Sequence, residues 1–369
     1  MTRISPQRTR VTGNPREPVR VLVLGTGQMG SGIARLVLAR PGLQLVGAFG
    51  RRAQRVGLDL GQALDLEHSL GLPISGNLEQ LIDETQPEVA IQATCSRAVD
   101  AATEISVLLR NGVNVISIAE EMAYPEYGAP ALAESLHWEA ISHGVSILGT
   151  GVNPGFVMDL LVIALSGVCL QIDTITVQRV NNLSPYGLSV MMSQGVGLTP
   201  QAFREGVENG TIAGHLGFAE SIHMIAHAVG WDIERIDESR EPIVSQLRRS
   251  TPFVEVEPGQ VAGCHHRAIA YAGGRPVITL DHPQQIEPQL EDIQTGDRIE
   301  IQGTPTINLA GTPEIPGGQA TIALAVNAIP RILNAPPGLF NMTDLPVPAA
   351  MLADARRFLP EEMIEIRYD

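Results

Sequence analysis

Two short stretches carry residue types whose chemistry would fit together. Residues 25–30 read Gly25-Thr26-Gly27-Gln28-Met29-Gly30, a GxGxxG pattern. It follows an apolar run and opens a helical pattern, which is the context a dinucleotide cradle needs. Gly25 permits the tight turn, Gly27 lets backbone approach a pyrophosphate, and Gly30 lets helix and strand pack closely. The helix start then offers unpaired N–H groups and a positive dipole end to the phosphates. The second stretch, "NVISIAEEMAYP" (114–125), ends an apolar run in the adjacent carboxylates Glu120 and Glu121. Exposed acids at a helix start are one reading. The other is acid–base catalysis, because burial raises a carboxyl pKa toward neutrality. Adjacent residues diverge, so at most one of the pair should face inward.

The strand at 43–49 ends without the acid that bonds a ribose 2′-OH in NAD sites. No acid occurs between Leu43 and Leu58, and Gly50-Arg51-Arg52 stands there instead. Guanidinium groups suit a 2′-phosphate, so the expected coenzyme is NADP, with NAD possible. Thr94, Cys95 and Ser96 follow a third strand, Glu120 and Glu121 a fourth, and 150–153 a fifth. In a doubly wound sheet these strand ends face the nicotinamide side of the crevice. Asn153 could bond the nicotinamide carboxamide or a substrate amine, or begin a helix. Phe156 could wall a pocket. Arg179 and Tyr186 fall where a second domain would meet the cleft; Arg179 suits either a substrate carboxylate or a structural ion pair.

These positions require a frame. Apolar strands at 19–24, 43–49, 89–94, 113–119 and 145–149 alternate with helical patterns after Gly30 and at 78–85, 100–110 and 131–143. That alternation predicts an α/β fold with an N-terminal Rossmann doubly wound parallel sheet. After about residue 150 the texture changes. Residues 172–180 alternate as a half-buried strand, with helices expected at 200–208 and 216–229. Several short strands between 251 and 312 predict an antiparallel sheet, and one helix over 319–333 precedes a Pro-rich tail. The expected division is a disordered leader (1–17), a dinucleotide-binding domain (18–152), an α+β substrate and dimerisation domain (153–315), and a C-terminal helix and tail (316–369) returning to the first domain.

Composition excludes several functions. The 369 residues carry a formal charge of −15, so nucleic acid and membrane surfaces are poor partners. All 25 basic residues are arginine. Without lysine there is no Schiff-base enzyme and no ordinary P-loop hydrolase. Cys95, Cys169 and Cys264 form no CxxC pair, so no disulfide framework or zinc site is expected, and a reducing cytoplasm fits. The leader lacks an apolar h-region; it does not read as a secretory signal, an organelle transit peptide being the lesser alternative. The most apolar stretch, 155–172, contains Asp159 and reads as a buried helix. His223 and His227 share a helix face without the Glu of HExxH, so no metal is expected there. "CHHR" (264–267) lies in strand-like surroundings.

The quoted stretches, with "GTGVNPGFVMDLL" (149–161), "GDRIEIQGTPTI" (296–307), "GGQATIALAVNAIP" (317–330) and "PPGLFNMTDLPVP" (336–348), resemble the 2,4-diaminopentanoate dehydrogenase family and its relatives, the native amine dehydrogenases. The N-terminal part more distantly resembles dihydrodipicolinate reductase. The resemblance implies NAD(P)-dependent oxidative deamination of an amine, reversible as reductive amination of a ketone or aldehyde with ammonia. It also implies a glutamate that handles ammonia and the carbinolamine, by position Glu120 or Glu121, with Glu120 slightly favoured. The Arg pair departs from the Asp expected of NAD-using members. The missing lysine argues against true dihydrodipicolinate reductase and homoserine dehydrogenase activity. Two alternatives stay open: an ammonia-independent imine or carbonyl reductase, and a non-catalytic NADPH-binding regulator. A homodimer is expected from general frequency alone.

Overall fold

The computed structural model describes residues 17–360. The leader expected at the N-terminus lies, apart from Glu17, outside the described residues. The N-terminal half alternates strand and helix: β1 (Val19–Leu24), α1 (Gln28–Leu38), β2 (Leu43–Phe49), α2 (Leu60–Ala63), α3 (Leu78–Thr85), β3 (Val89–Gln92), α4 (Ala98–Arg110) and β4 (Asn114–Ser117). A single 3₁₀ turn, Glu120–Ala123, follows β4. Then come α5 (Pro125–Gly128), α6 (Pro130–His143) and β5 (Ser146–Gly149). All strand pairs in this sheet are parallel. Both faces are covered, as parallel sheets require. Along β1, Val19, Val21 and Val23 pack on the α1 face, while Leu22 and Leu24 pack on the α4 face. Each such buried aliphatic side chain contributes roughly 1.5–3 kcal/mol.

A second sheet follows. After α7 (Leu160–Ser166) come β6 (Gln171–Asn182), α8 (Leu188–Ser193), α9 (Pro200–Glu208), α10 (Phe218–Val229) and β7 (Arg235–Val244). A two-stranded ribbon of β8 (Arg249–Ser250) and β9 (Glu255–Val256) precedes β10 (Val261–Ala272), β11 (Arg275–Gln285), β12 (Gly296–Thr304) and β13 (Ile307–Gly311). The sheet order is β13-β12-β6-β11-β10-β7. Its inner face packs on α7 and α10 through Val162, Phe218, Ile222 and Ile225.

After the second sheet come α11 (Gly317–Asn327), α12 (Ile329–Leu333), β14 (Gly338–Phe340) and a 3₁₀ turn, Ala355–Phe358. Ile329 and Ile332 pack with Ile33 and Val37 of α1 in the first sheet's core, and β14 pairs with β5 as a sixth parallel strand.

Four sequence expectations need correction. The second sheet is mixed: β11 runs parallel to β6, because the β10–β11 hairpin carries it back beside that strand. Its strands are longer than expected and begin earlier, with β7 among charged residues at 235–244. Only Leu160–Ser166 of the apolar stretch 155–172 is α-helical, capped by Asp159, which accepts from the Leu160 N–H at 2.6 Å. The last helix is two, interrupted at Ala328, because Pro330 lacks the N–H to continue the first.

Candidate active site

Gly25 has φ +104°, and a side chain there would collide with the Ala93 carbonyl of the strand alongside. A side chain at Gly30 would strike Gly25 itself, so the turn closes only with glycine at both positions. Gly27 caps α1 without a side-chain hydrogen bond and faces open space, and the first turn carries no acid. The α1 N-terminus therefore presents free N–H groups where a pyrophosphate would sit. These features fit a dinucleotide.

Beyond the turn lies a cleft of about 410 Å³ between the two sheets. Of the residues singled out in the sequence, it brings together Gln28, Met29, Ser96, Glu120, Asn153, Arg179 and Tyr186. The 3₁₀ turn after β4 is packed closely on β5: a side chain at Gly149 would collide with the Met122 carbonyl. That contact fixes the turn bearing Glu120.

The adjacent carboxylates have separate surroundings. Glu120 faces the cleft, and burial pushes its pKa up to about 6. Its own N–H and the Ser96 hydroxyl oppose that rise, and the Glu121 charge adds to it. Glu121 points away and accepts from the Ala98 N–H at 2.9 Å, capping α4 from outside that helix. A third acid, Glu220 of α10, escaped the sequence reading. Burial first, then the charges of Glu121, Glu238 and Glu120, raise it to about 7.

Several other expected residues lie elsewhere. The Arg51 side chain donates to Glu104 at 2.7 Å and to the Asp100 carbonyl at 3.1 Å. Arg52 is exposed, while Arg55 reaches back to the Thr26 carbonyl in the glycine turn. The Thr94 hydroxyl donates to Glu104 at 2.5 Å. Burial holds the Cys95 thiol above its ordinary range. Phe156 packs between the cores of the two sheets rather than walling the cleft. Arg179, by contrast, lines the cleft, but it is buried in an ion pair with Asp297 at 2.5 Å and also donates to the Ile315 carbonyl.

The histidines divide similarly. On α10, His223 stacks on Tyr127, with ring centroids 4.0 Å apart, and His227 Nδ1 lies 3.2 Å from the Tyr124 hydroxyl. His265 pairs with Asp281 on the outer face of the mixed sheet. His266 is buried inside, its Nε2 on Glu238 at 3.2 Å and its Nδ1 accepting from the His215 N–H at 3.1 Å. His215 lines the cleft, and burial drops its pKa to about 3. Among the described residues no cluster of three or more His, Cys, Asp or Glu could hold a metal ion.

The glycine turn, the parallel sheet and the acid beside the cleft define an oxidoreductase built on a Rossmann-type domain; residues 19–117 match the family model "Dihydrodipicolinate reductase, N-terminus". Residues 156–361 match the model "2,4-diaminopentanoate dehydrogenase C-terminal domain". The chain is 45% identical over 354 residues to a 2,4-diaminopentanoate dehydrogenase of Acetoanaerobium sticklandii, covering 94% of this chain and 98% of that one. It belongs to the 2,4-diaminopentanoate dehydrogenase family. It is also 26% identical over 358 residues to an amine dehydrogenase of Streptomyces virginiae, covering 90% and 98% of the two chains. The amine dehydrogenase structure from Mycobacterium smegmatis superposes with a TM-score of 0.82 at 26% identity, covering 91% of this chain and 98% of that one.

Proposed function

We propose that the protein is a nicotinamide-dependent amine dehydrogenase that interconverts an amine and a ketone or aldehyde plus ammonia. The observation that carries this reading is Glu120: a carboxyl with a pKa of about 6, at the carboxyl end of β4, facing the cleft beside the glycine turn. A group with that pKa can take and return a proton near neutrality. In the aminating direction Glu120 accepts a proton from ammonium, releasing the nucleophile. The same proton then goes to the carbinolamine oxygen as water leaves. When bound, the reduced nicotinamide supplies the hydride to the resulting C=N carbon. Glu121 acts on Glu120 through its charge and through the α4 cap.

The Gly25–Gly30 turn would hold the pyrophosphate. We assign the 2′-phosphate of NADP to the exposed Arg52, since Arg51 is engaged by Glu104 and Arg55 by the Thr26 carbonyl. A cytoplasmic homodimer of chains divided near residues 152 and 315 completes the reading. The three free cysteines support the compartment, and the dimer rests on the general frequency of such assemblies.

The test compares wild type, Glu120→Gln and Glu121→Gln, each assayed with NADPH and NADH, with and without ammonia. Glu120→Gln should lower kcat by about 10²–10⁴ while still binding the coenzyme, and NADPH should be preferred. Near-normal turnover in both single variants would end the assignment. Reduction of the carbonyl without any need for ammonia would instead favour a plain reductase.

A further inference from the structure

The chain has no acid at the end of β2, yet the fold brings one there from another element. Glu104 lies midway along α4 and is only 6% exposed. One of its carboxylate oxygens accepts from Arg51 Nε at 2.7 Å, and the other accepts from the Thr94 hydroxyl at 2.5 Å. Arg51 follows β2 and Thr94 follows β3, the two neighbours of β1 in the sheet. The carboxylate therefore bridges the strand ends on either side of the strand that leads into the glycine turn. In an open parallel sheet, ligands lie outside these carboxyl ends.

The bridge closes on a groove of about 530 Å³, lined among others by Phe49, Arg51, Glu79, Asp100 and Glu104. The groove adjoins the glycine turn, because a side chain on Gly50 would lie against Thr26. Three carboxylates thus share this groove with one guanidinium. That balance opposes a phosphate dianion and admits a hydroxyl. Arg51 is also fixed from a second side, where its other arm donates to the Asp100 carbonyl at 3.1 Å. An anion seeking Arg51 must first take it from a carboxylate, and such charge-assisted hydrogen bonds are about twice as strong as neutral ones.

We propose that Glu104 is a specificity-determining residue for the coenzyme: by holding Arg51 it withholds one guanidinium from the adenosine 2′ position and limits the preference for NADPH over NADH. Arg51 is then a guanidinium in reserve, present in the groove but engaged by the protein itself. This inference rests on the coenzyme reading above, in which Arg52 meets the 2′-phosphate without Arg51.

The experiment titrates NADPH and NADH calorimetrically into the full chain, so no turnover is needed. Glu104→Gln keeps the side-chain size and its bond to Thr94 and removes the charge that holds Arg51. Its affinity for NADPH should rise about tenfold, while that for NADH stays close to wild type. The double variant of Arg51→Ala with Glu104→Gln should lose the gain. An unchanged ratio of the two affinities in Glu104→Gln overturns the assignment. So does a gain that survives in the double variant, since Glu104 would then act by repulsion alone. If Glu104→Gln no longer binds NADH, its fold has suffered, and a crystal structure of the wild type with NADPH decides instead: Arg51 still on Glu104 supports the proposal, and Arg51 on the 2′-phosphate overturns it. Tighter wild-type binding of NADH than of NADPH would count against Arg52 as the partner of the phosphate, while the shift in Glu104→Gln would still decide the role of Glu104.

Discussion

Glu120 occupies a position that costs stability. Its ordinary pKa of 4.5 rises to about 6 on folding, with burial as the main cause. The folded state therefore holds the proton more tightly than the unfolded chain. Stability falls as pH rises from 4.5 to 6, and the full cost is present above 6. At about 1.4 kcal/mol per unit, that cost is about 2 kcal/mol. Glu120→Gln removes the titration. By calorimetry its melting temperature should exceed that of wild type at pH 8, and the gap should close near pH 4.5; a gap independent of pH would refute this account. The two-glutamate stretch was legible in the sequence as a place where one carboxyl could turn inward. Which one could not be read, because the answer depends on the Ala98 N–H, brought over Glu121 by the packing of α4. Arg51 shows the same limit. Its charge was visible, but its partner Glu104 lies more than fifty positions away in the chain.

At the scale of elements, the sequence showed β1 to β5 of the parallel sheet clearly because each is a short apolar run with a helical pattern further along the chain. β1 and β2 have the bounds read from the sequence. β14 was missed because three residues after two prolines carry no periodicity; its identity as a strand comes from pairing with β5. β7 was missed because its residues are largely charged and half-exposed, so no apolar alternation marks them. The polar end of β6 and β11 did leave a signal. Arg179, Asn181, His282 and Gln284 interrupt the inward apolar set at spacing two, which a strand reading that tracked one face would have flagged. The contact between β5 and the 3₁₀ turn has a testable effect. Gly149→Ala drives a methyl group into the Met122 carbonyl and must displace the turn. With Glu120 misplaced by even an ångström, kcat should fall about 10²-fold while coenzyme affinity, which the proposed function places at the α1 turn, should stay close to wild type. Equal losses in both would mean that the damage spreads through the sheet.

Across the whole molecule, the two sheets do not meet only through the last helices. The Gln28 side chain, in the first turn of α1, donates its amide to the Pro185 carbonyl at 2.9 Å, in the loop that enters α8. That loop also carries Tyr186, and α8 is followed by Gln194 of the cleft wall. The helix start at the glycine turn and the segment bounding the cleft are thus tied by the Gln28 side chain. Its consequence is temporal. Whatever settles on the glycine turn also steadies the doorway through which the smaller reactant must pass, so the larger molecule should enter first and leave last. Initial-rate patterns should show compulsory order, with the spent coenzyme competing only against its fresh form. Gln28→Ala should loosen that sequence toward random entry.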